Sequence, residues 1–266
     1  MDFFSYIDLS WLTMTLGAIA LGLLGYLHLA WLREKRPARE WQDSPSPSQF
    51  LWLVFLAYLA GAVAAKMTAI LCNLPRLVKG ADPLEVWRSA GLVSFGGYAA
   101  SIAAIILYCR LKAHDTLKAL DIVFAYMGAF DIFQRVGCIF MGCCRGKPLM
   151  DTLGSPLNYI AGALGLARHP FPFYMLLLGL ALLLWAAPAL KRPHRPGEIF
   201  LKYFMFYSSI RFFLEFLRQE PVLAWLKPLT APQAVCIVIF VTTFITLRQM
   251  RNKKTLNPKS ETLNKS

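Results

Sequence analysis

Apolar runs of roughly twenty residues recur along this chain, separated by shorter stretches rich in Arg, Lys, Pro and Ser, and none of the runs alternates polar with apolar positions. Runs of that length can cross the hydrocarbon core of a bilayer as helices, which satisfy their backbone hydrogen bonds internally. The missing period-two pattern argues against a membrane barrel. Spans are expected at residues 8–32, 50–71, 91–110, 119–141, 170–189, 198–217 and 231–248. The expected fold is therefore all-α: a polytopic membrane helix bundle of about seven transmembrane helices with a small outer cap. One membrane domain would occupy residues 1–248, and 249–266, rich in Lys, Asn, Thr and Ser, would be a disordered basic tail.

Composition agrees with this reading, since 57% of the 266 residues are hydrophobic and 16% charged, which excludes an ordinary soluble domain. The net charge of +13 is spread between the apolar runs rather than gathered on one segment, which argues against nucleic acid as a partner. Three basic loops carry it, around Arg33–Arg39, Arg110–Lys118 and Lys191–Arg195, together with the tail beyond Arg248. By the positive-inside rule these face the cytoplasm, which puts the carboxy terminus inside and the amino terminus, with Asp2 and Asp8, outside. The first span has no positive start and no small-residue cleavage site, so it is expected to stay as an anchor. The stretch 33–49, with Pro37, Pro45 and Pro47, reads as a mobile polar linker. Cys72, Cys109 and Cys236 lie in or beside apolar runs and read as small buried hydrophobes. The chain has no glycine-rich nucleotide loop and no helical zinc-protease motif.

Charged residues at bilayer depth cost several kcal/mol unless compensated, and two expected spans carry them in register. At about 100° per residue, Tyr207, Arg211, Glu215 and Arg218 fall within roughly 80° of one another, and Tyr203 extends the stripe by a turn. On the fourth span Asp121, Gly128, Asp131, Arg135 and Gly142 share a side. Arg211 and Glu215, like Asp131 and Arg135, are spaced for i to i+4 pairing. Such faces either glue helices together through internal ion pairs or line a cleft where two guanidinium groups converge on an anion. Planar multidentate donors suit phosphate oxygens, and a phospholipid phosphate is the obvious anion at this depth. Tyr207 could donate to phosphate or ester oxygen. Lys66, on the second span, adds charge to such a cleft or snorkels to the surface.

Two outer loops are long enough to cover something, residues 72–90 and 142–169. Cys138, Cys143 and Cys144 sit where the second begins. A disulfide from Cys138 to Cys143 or Cys144, a thiol chemistry of their own, or a zinc site completed by His169 are all compatible with their spacing.

The run Gln134-Arg135-Val136-Gly137-Cys138-Ile139-Phe140-Met141-Gly142-Cys143-Cys144-Arg145-Gly146 resembles the Gly-Arg-x-Gly-Asn-Phe-x-Asn-Gly-Glu-x-x-Gly signature of the prolipoprotein diacylglyceryl transferase family. Gly197 through Tyr207, Arg211, Glu215 and Arg218 is similar to that family's second arginine segment. His169-Pro170-x-x-x-Tyr174 resembles its His-Pro-x-x-x-Tyr loop, and Gly96-Gly97 its His-Gly-Gly turn with Phe95 in place of the histidine. The likeness covers about residues 90–220, in order.

The resemblance implies a bacterial inner-membrane enzyme without a cofactor or metal. Its partners would be phosphatidylglycerol and a lipobox-containing prolipoprotein, whose cysteine thiol receives the diacylglyceryl group as glycerol phosphate leaves. Arg135 and Arg211 would hold the phosphate and stabilise the leaving group, with Glu215 and Tyr207 orienting them. Gly96, Gly97, Gly137, Cys138, Gly142, Tyr174 and Arg218 would line the substrate site. Since Phe95, Cys138 and Cys143 replace the family's histidine, asparagine and glutamate, the proton acceptor is open between Asp131, His169 and the substrate phosphate, with His169 preferred for its place at the outer mouth. Two other classes compete: a non-catalytic phospholipid-binding protein on the same bundle, and a membrane thiol oxidoreductase using Cys138, Cys143 and Cys144.

Overall fold

A computed structural model describes residues 3–35, 43–89, 94–142, 144, 146–148, 168–218 and 229–256. Among these are nine α-helices: α1 (Phe3–Lys35), α2 (Pro47–Cys72), α3 (Leu74–Val78), α4 (Pro83–Ser89), α5 (Ser94–Leu111), α6 (Thr116–Phe140), α7 (Phe171–Ala189), α8 (Glu198–Leu214) and α9 (Ala231–Leu256). Every expected span is thus a helix. Five helical stretches, within α1, α2, α6, α7 and α9, are long and apolar enough to cross a membrane. The other two, α5 and α8, are shorter at 18 and 17 residues, and α8 carries the charged stripe. The loop expected at 72–90 contains α3 and α4. Asp82 caps α4 by accepting from the Leu84 amide at 3.2 Å, and Arg76 reaches Glu85 at 3.8 Å.

The chain divides into two compact units, Ala18–Val123 and Met1–Gly17 with Phe124–Ser266. In the first, α2 starts at a capping box. Ser46 Oγ accepts from the Gln49 amide at 3.2 Å while Gln49 Oε1 takes the Ser46 amide at 2.8 Å, which fixes where the polar linker ends. The described end of that linker is anchored rather than mobile as expected. Arg33 donates to the carbonyls of Ser44 and Pro45 at 3.1 Å, the Asp115 amide donates to Asp43 at 2.8 Å, and Ser44 is buried. Helices α2 and α5 meet through small residues. A Cβ on Gly61 would stand 2.2 Å from Ser101 Oγ, and Ser101 donates to the Ala57 carbonyl at 2.8 Å. Cys109 is buried as expected, whereas Cys72 is exposed at the end of α2.

In the second unit α6 crosses α7 where a Cβ on Gly128 would lie 2.3 Å from the Gly179 carbonyl oxygen, so the two backbones touch and no larger residue fits. Phe124 of α6 packs edge-on against Phe200 and Tyr203 of α8, and α8 in turn lies against α7 and α9. After Leu214 the helix tightens into a 3-10 turn at Glu215–Leu217, and Arg218 is extended at φ −90°, ψ 144°. Projecting Arg218 onto an ideal α-helix therefore overextended α8 by one turn. Helix α9 continues to Leu256, past the expected end at 248, because residues such as Arg248, Gln249, Met250 and Arg251 are good helix formers.

Where a small outer cap was expected, the described residues form three short stretches joined by isolated antiparallel bridges, Gly146 with Arg218 and Pro148 with Arg168.

Candidate functional site

The second unit gathers the charged stripe of α8, the carboxy-terminal half of α6 and the His169 segment. Arg211 and Glu215 are both buried, and the Arg211 guanidinium donates through Nη1 to Glu215 Oε2, one helical turn away. Arg218 Nη1 stands 3.7 Å from the other Glu215 oxygen. Both guanidinium groups lie over the ring of Phe171, at 4.9 Å for Arg211 and 5.5 Å for Arg218. An aromatic face offers a cation a weak negative potential without a second formal charge. Phe171 is itself 1% exposed, so Glu215 beneath and Phe171 above fix both arginines in place.

On α6, Asp131 is buried and accepts a hydrogen bond from Tyr203 Oη at 2.7 Å. The Tyr203 ring stacks on Tyr207 one turn further along, with centroids 6.4 Å apart and planes 11° from parallel. Arg135 is one turn beyond Asp131, and its buried Nε has no hydrogen-bond partner among the described residues. The Arg135 guanidinium lies within electrostatic reach of Tyr207, Cys138, Asp131 and Cys144. Tyr207 in turn lies within reach of Asp131, Arg135 and Arg211. Tyr207 is thus a group whose electrostatic surroundings include both arginine-bearing helices. Three guanidinium groups (135, 211, 218) against two carboxylates (131, 215) leave this cluster one positive charge in excess, which complements a phosphodiester monoanion.

Glycines set how closely the supporting segments approach. Gly137 is covered by Thr13 of α1, whose Oγ1 would stand 2.3 Å from an added Cβ, so its expected place in the substrate site is a helix contact here. After α6 the chain turns through Gly142 at φ 62° and Cys144 at φ 58°, the latter a strained conformation for a residue with a side chain. Cys144 Sγ lies 3.9 Å from Arg218 Nη2. Among the described residues no disulfide joins Cys138 to Cys144; Cys143, the other partner considered from sequence, lies outside the described residues. At Gly146 three segments converge. Its amide donates to the His169 carbonyl at 3.2 Å, the His169 amide returns a bond to Lys147 at 3.1 Å, and the Lys147 amide donates to Leu217 at 2.8 Å.

His169 is buried, and its Nδ1 is 3.3 Å from Tyr174 Oη. Burial disfavours the imidazolium and holds the His169 pKa below its ordinary value. Gly96 and Gly97, expected to bind substrate, pack against α2 within their own unit. A Cβ on Gly96 would meet Thr68 Oγ1 at 2.1 Å, and one on Gly97 the Gly61 carbonyl at 3.2 Å. Lys66 is half-buried on α2 in that same unit.

Two contributors were not singled out from sequence. Phe171 gives no polar signal, although its place directly after His169-Pro170 marks it. Gly146 closes the motif that begins at Gln134, and the reason for a glycine there is visible only in the convergence of three backbones.

Comparison with known proteins places these observations in a family. The family described as prolipoprotein diacylglyceryl transferase matches residues 10–248. A phosphatidylglycerol–prolipoprotein diacylglyceryl transferase from Clostridium tetani is 27% identical over 207 residues, covering 76% of this chain and 79% of the relative. One from Thermotoga maritima is 26% identical over 240 residues, 87% of this chain and 80% of the relative. A second clostridial enzyme, from Clostridium perfringens, is 29% identical over 174 residues, 62% and 65% of the two chains.

Proposed function

Because the chain belongs to the prolipoprotein diacylglyceryl transferase family, we propose that it moves the diacylglyceryl group of phosphatidylglycerol onto the cysteine thiol of a prolipoprotein. The observation that carries this reading is the buried arginine cluster of α8, with Arg211 and Arg218 held between Glu215 and the ring of Phe171. In the reaction the thiolate sulfur attacks the glyceryl carbon bonded to the phosphodiester oxygen. A carbon–sulfur bond forms, that carbon–oxygen bond breaks, and the electron pair leaves on glycerol phosphate. Charge grows on the departing phosphate, where preoriented guanidinium donors lower the barrier most.

Each residue has a distinct part. Arg135, whose buried Nε has no hydrogen-bond partner among the described residues, supplies a donor to the phosphate, and Arg211 adds its charge from a position fixed by Glu215 and Phe171. Arg218 extends the same field toward the cap. Tyr207 donates its hydroxyl to a phosphate or ester oxygen. Asp131 is engaged by Tyr203, which favours a role in setting the α6–α8 register over one as proton acceptor. His169, neutral near pH 7 and paired with Tyr174, takes the thiol proton.

The loop charges support an amino terminus outside and a carboxy terminus in the cytoplasm, in the inner membrane of a bacterium. The family match ending at residue 248 supports a transferase domain over 1–248, followed by a basic tail whose first turns are helical. The test is reconstitution in phosphatidylglycerol vesicles with a lipobox peptide, following release of glycerol phosphate. The wild type turns over, Arg135→Ala and Arg211→Ala do not, and Cys144→Ser does. Lipid binding without turnover in the wild type would instead indicate a phospholipid-binding protein. Loss of turnover confined to the cysteine variant would indicate thiol chemistry.

A further inference from the structure

Helix α8 has a second charged end. Between its first turns, the loop before it and the last turns of α9 lies a cavity of 770 Å³, within the size range of small-molecule sites. Among the described residues its rim carries Arg195, Lys202, Arg248 and Arg251 and one carboxylate, Glu198. That carboxylate is already engaged on both oxygens. Lys202 Nζ donates to Oε1 at 2.6 Å, and the Arg195 amide donates to Oε2 at 3.1 Å. Arg195 also donates through Nη1 to the Met250 carbonyl, tying the loop to α9. Among the described residues no ion pair engages Arg248 or Arg251. Four cations and one neutralised acid therefore leave a surplus of three positive charges around one cavity.

The inner wall is apolar, formed by Met205, Phe244 and Leu247. From Phe244 the apolar surface continues down α9 through Val241, Phe240 and Ile237, all exposed. Only 17% of the α9 span is buried against protein, compared with 39–61% for the other four long spans. A soluble phosphate would use the rim and leave this wall bare. A ligand with a phosphate attached to acyl chains uses both. The distance from Glu198 to Arg211 is thirteen helical steps, about 20 Å along α8, so this cavity and the arginine cluster lie toward opposite faces of a roughly 30 Å hydrocarbon layer.

We propose that this cavity binds an anionic phospholipid of the leaflet opposite the arginine cluster, its phosphate among Arg195, Lys202, Arg248 and Arg251 and an acyl chain along the exposed face of α9. Basic pockets between membrane helices recognise such headgroups by charge and depth. The lipid acts as a structural ligand that holds α9 to α8.

The experiment is native mass spectrometry of the intact protein released from a neutral detergent, titrated with dioleoylphosphatidylglycerol or dioleoylphosphatidylcholine. The wild type should retain one more phosphatidylglycerol than Arg248→Gln/Arg251→Gln, with affinity for that lipid weakened about tenfold or more in the variant. Met205→Trp, which narrows the cavity at its apolar wall and leaves the four cations in place, should bind the same lipid more weakly. Glycerol phosphate release at saturating phosphatidylglycerol in micelles should match wild type in both variants. Equal lipid occupancy in wild type and the double arginine variant overturns the proposal. So does equal retention of phosphatidylcholine, or displacement of the bound lipid by millimolar inorganic phosphate at constant ionic strength, which would reassign the cavity to a soluble anion.

Discussion

Replacing Glu215 with Gln keeps the shape of the side chain and removes its charge, leaving Arg211 and Arg218 without their shared carboxylate. Burial decides the size of the effect. An exposed arginine–carboxylate pair contributes at most about 1 kcal/mol, but the Glu215 side chain is 0% and the Arg211 side chain 9% exposed. Removing one partner of a buried pair costs about 3–5 kcal/mol because the other charge stays desolvated. Arg211→Gln should cost less than Glu215→Gln, since Glu215 keeps Arg218 at 3.7 Å. The double variant Arg211→Gln/Glu215→Gln should recover about 2–3 kcal/mol relative to the sum of the single losses. The assay is unfolding in mixed micelles followed by tryptophan fluorescence, where a 3 kcal/mol loss corresponds to about 6–12 °C for a chain of this size. Additive single effects, or a Glu215→Gln variant within 1 kcal/mol of wild type, would refute the claim that this pair is shielded from water.

Three further outcomes are expected. Arg135→Lys keeps the charge but loses the planar fork, and glycerol phosphate release should fall about 10²-fold while bound phosphatidylglycerol, measured on the purified protein, changes far less. Gly146→Ala forces a methyl group to 2.5 Å from His169 Cβ and 2.6 Å from its carbonyl oxygen; a thermal scan should register about 1–3 kcal/mol of lost stability together with lower turnover. For His169, the folded pKa lies below the unfolded value near 6.5. The unfolded chain therefore binds more protons between the two pKa values, and this contribution is retained above the unfolded pKa and lost as pH falls through the folded one. The acid limb of the pH–rate profile should accordingly fall below pH 6.5 and disappear in His169→Gln; a limb unchanged in that variant would assign the proton acceptor elsewhere.

Much of the fold was legible because bilayer-length apolar runs leave little alternative to helices. The two arginine stripes were legible for the same reason, since charge in an apolar run stands out and helical periodicity puts Arg211 beside Glu215. What periodicity could not supply was the end of α8. At the 3-10 turn of Glu215–Leu217 the chain is met by Gly146 and Lys147, some seventy residues earlier, and local spacing carries no sign of that contact or of Arg218 leaving the helix. Nor could it supply the partner from the other helix: the i to i+4 spacing relates Asp131 to Arg135, while the hydroxyl of Tyr203 on α8 also reaches the Asp131 carboxylate. Gly96 and Gly97 stood out as a motif fragment, while their closest surroundings are Thr68 and Gly61 of α2.

At Gly146 the backbones of three distant stretches are knotted by hydrogen bonds that run to His169, from Lys147 to Leu217 and across to Arg218. The stretches that carry the imidazole and the third guanidinium are therefore tied to one another through the backbone of Gly146 and Lys147. Loosening any one of these backbone bonds would disturb the stretches that carry both side chains, which makes this junction, rather than either side chain alone, the place where a small substitution reaches furthest.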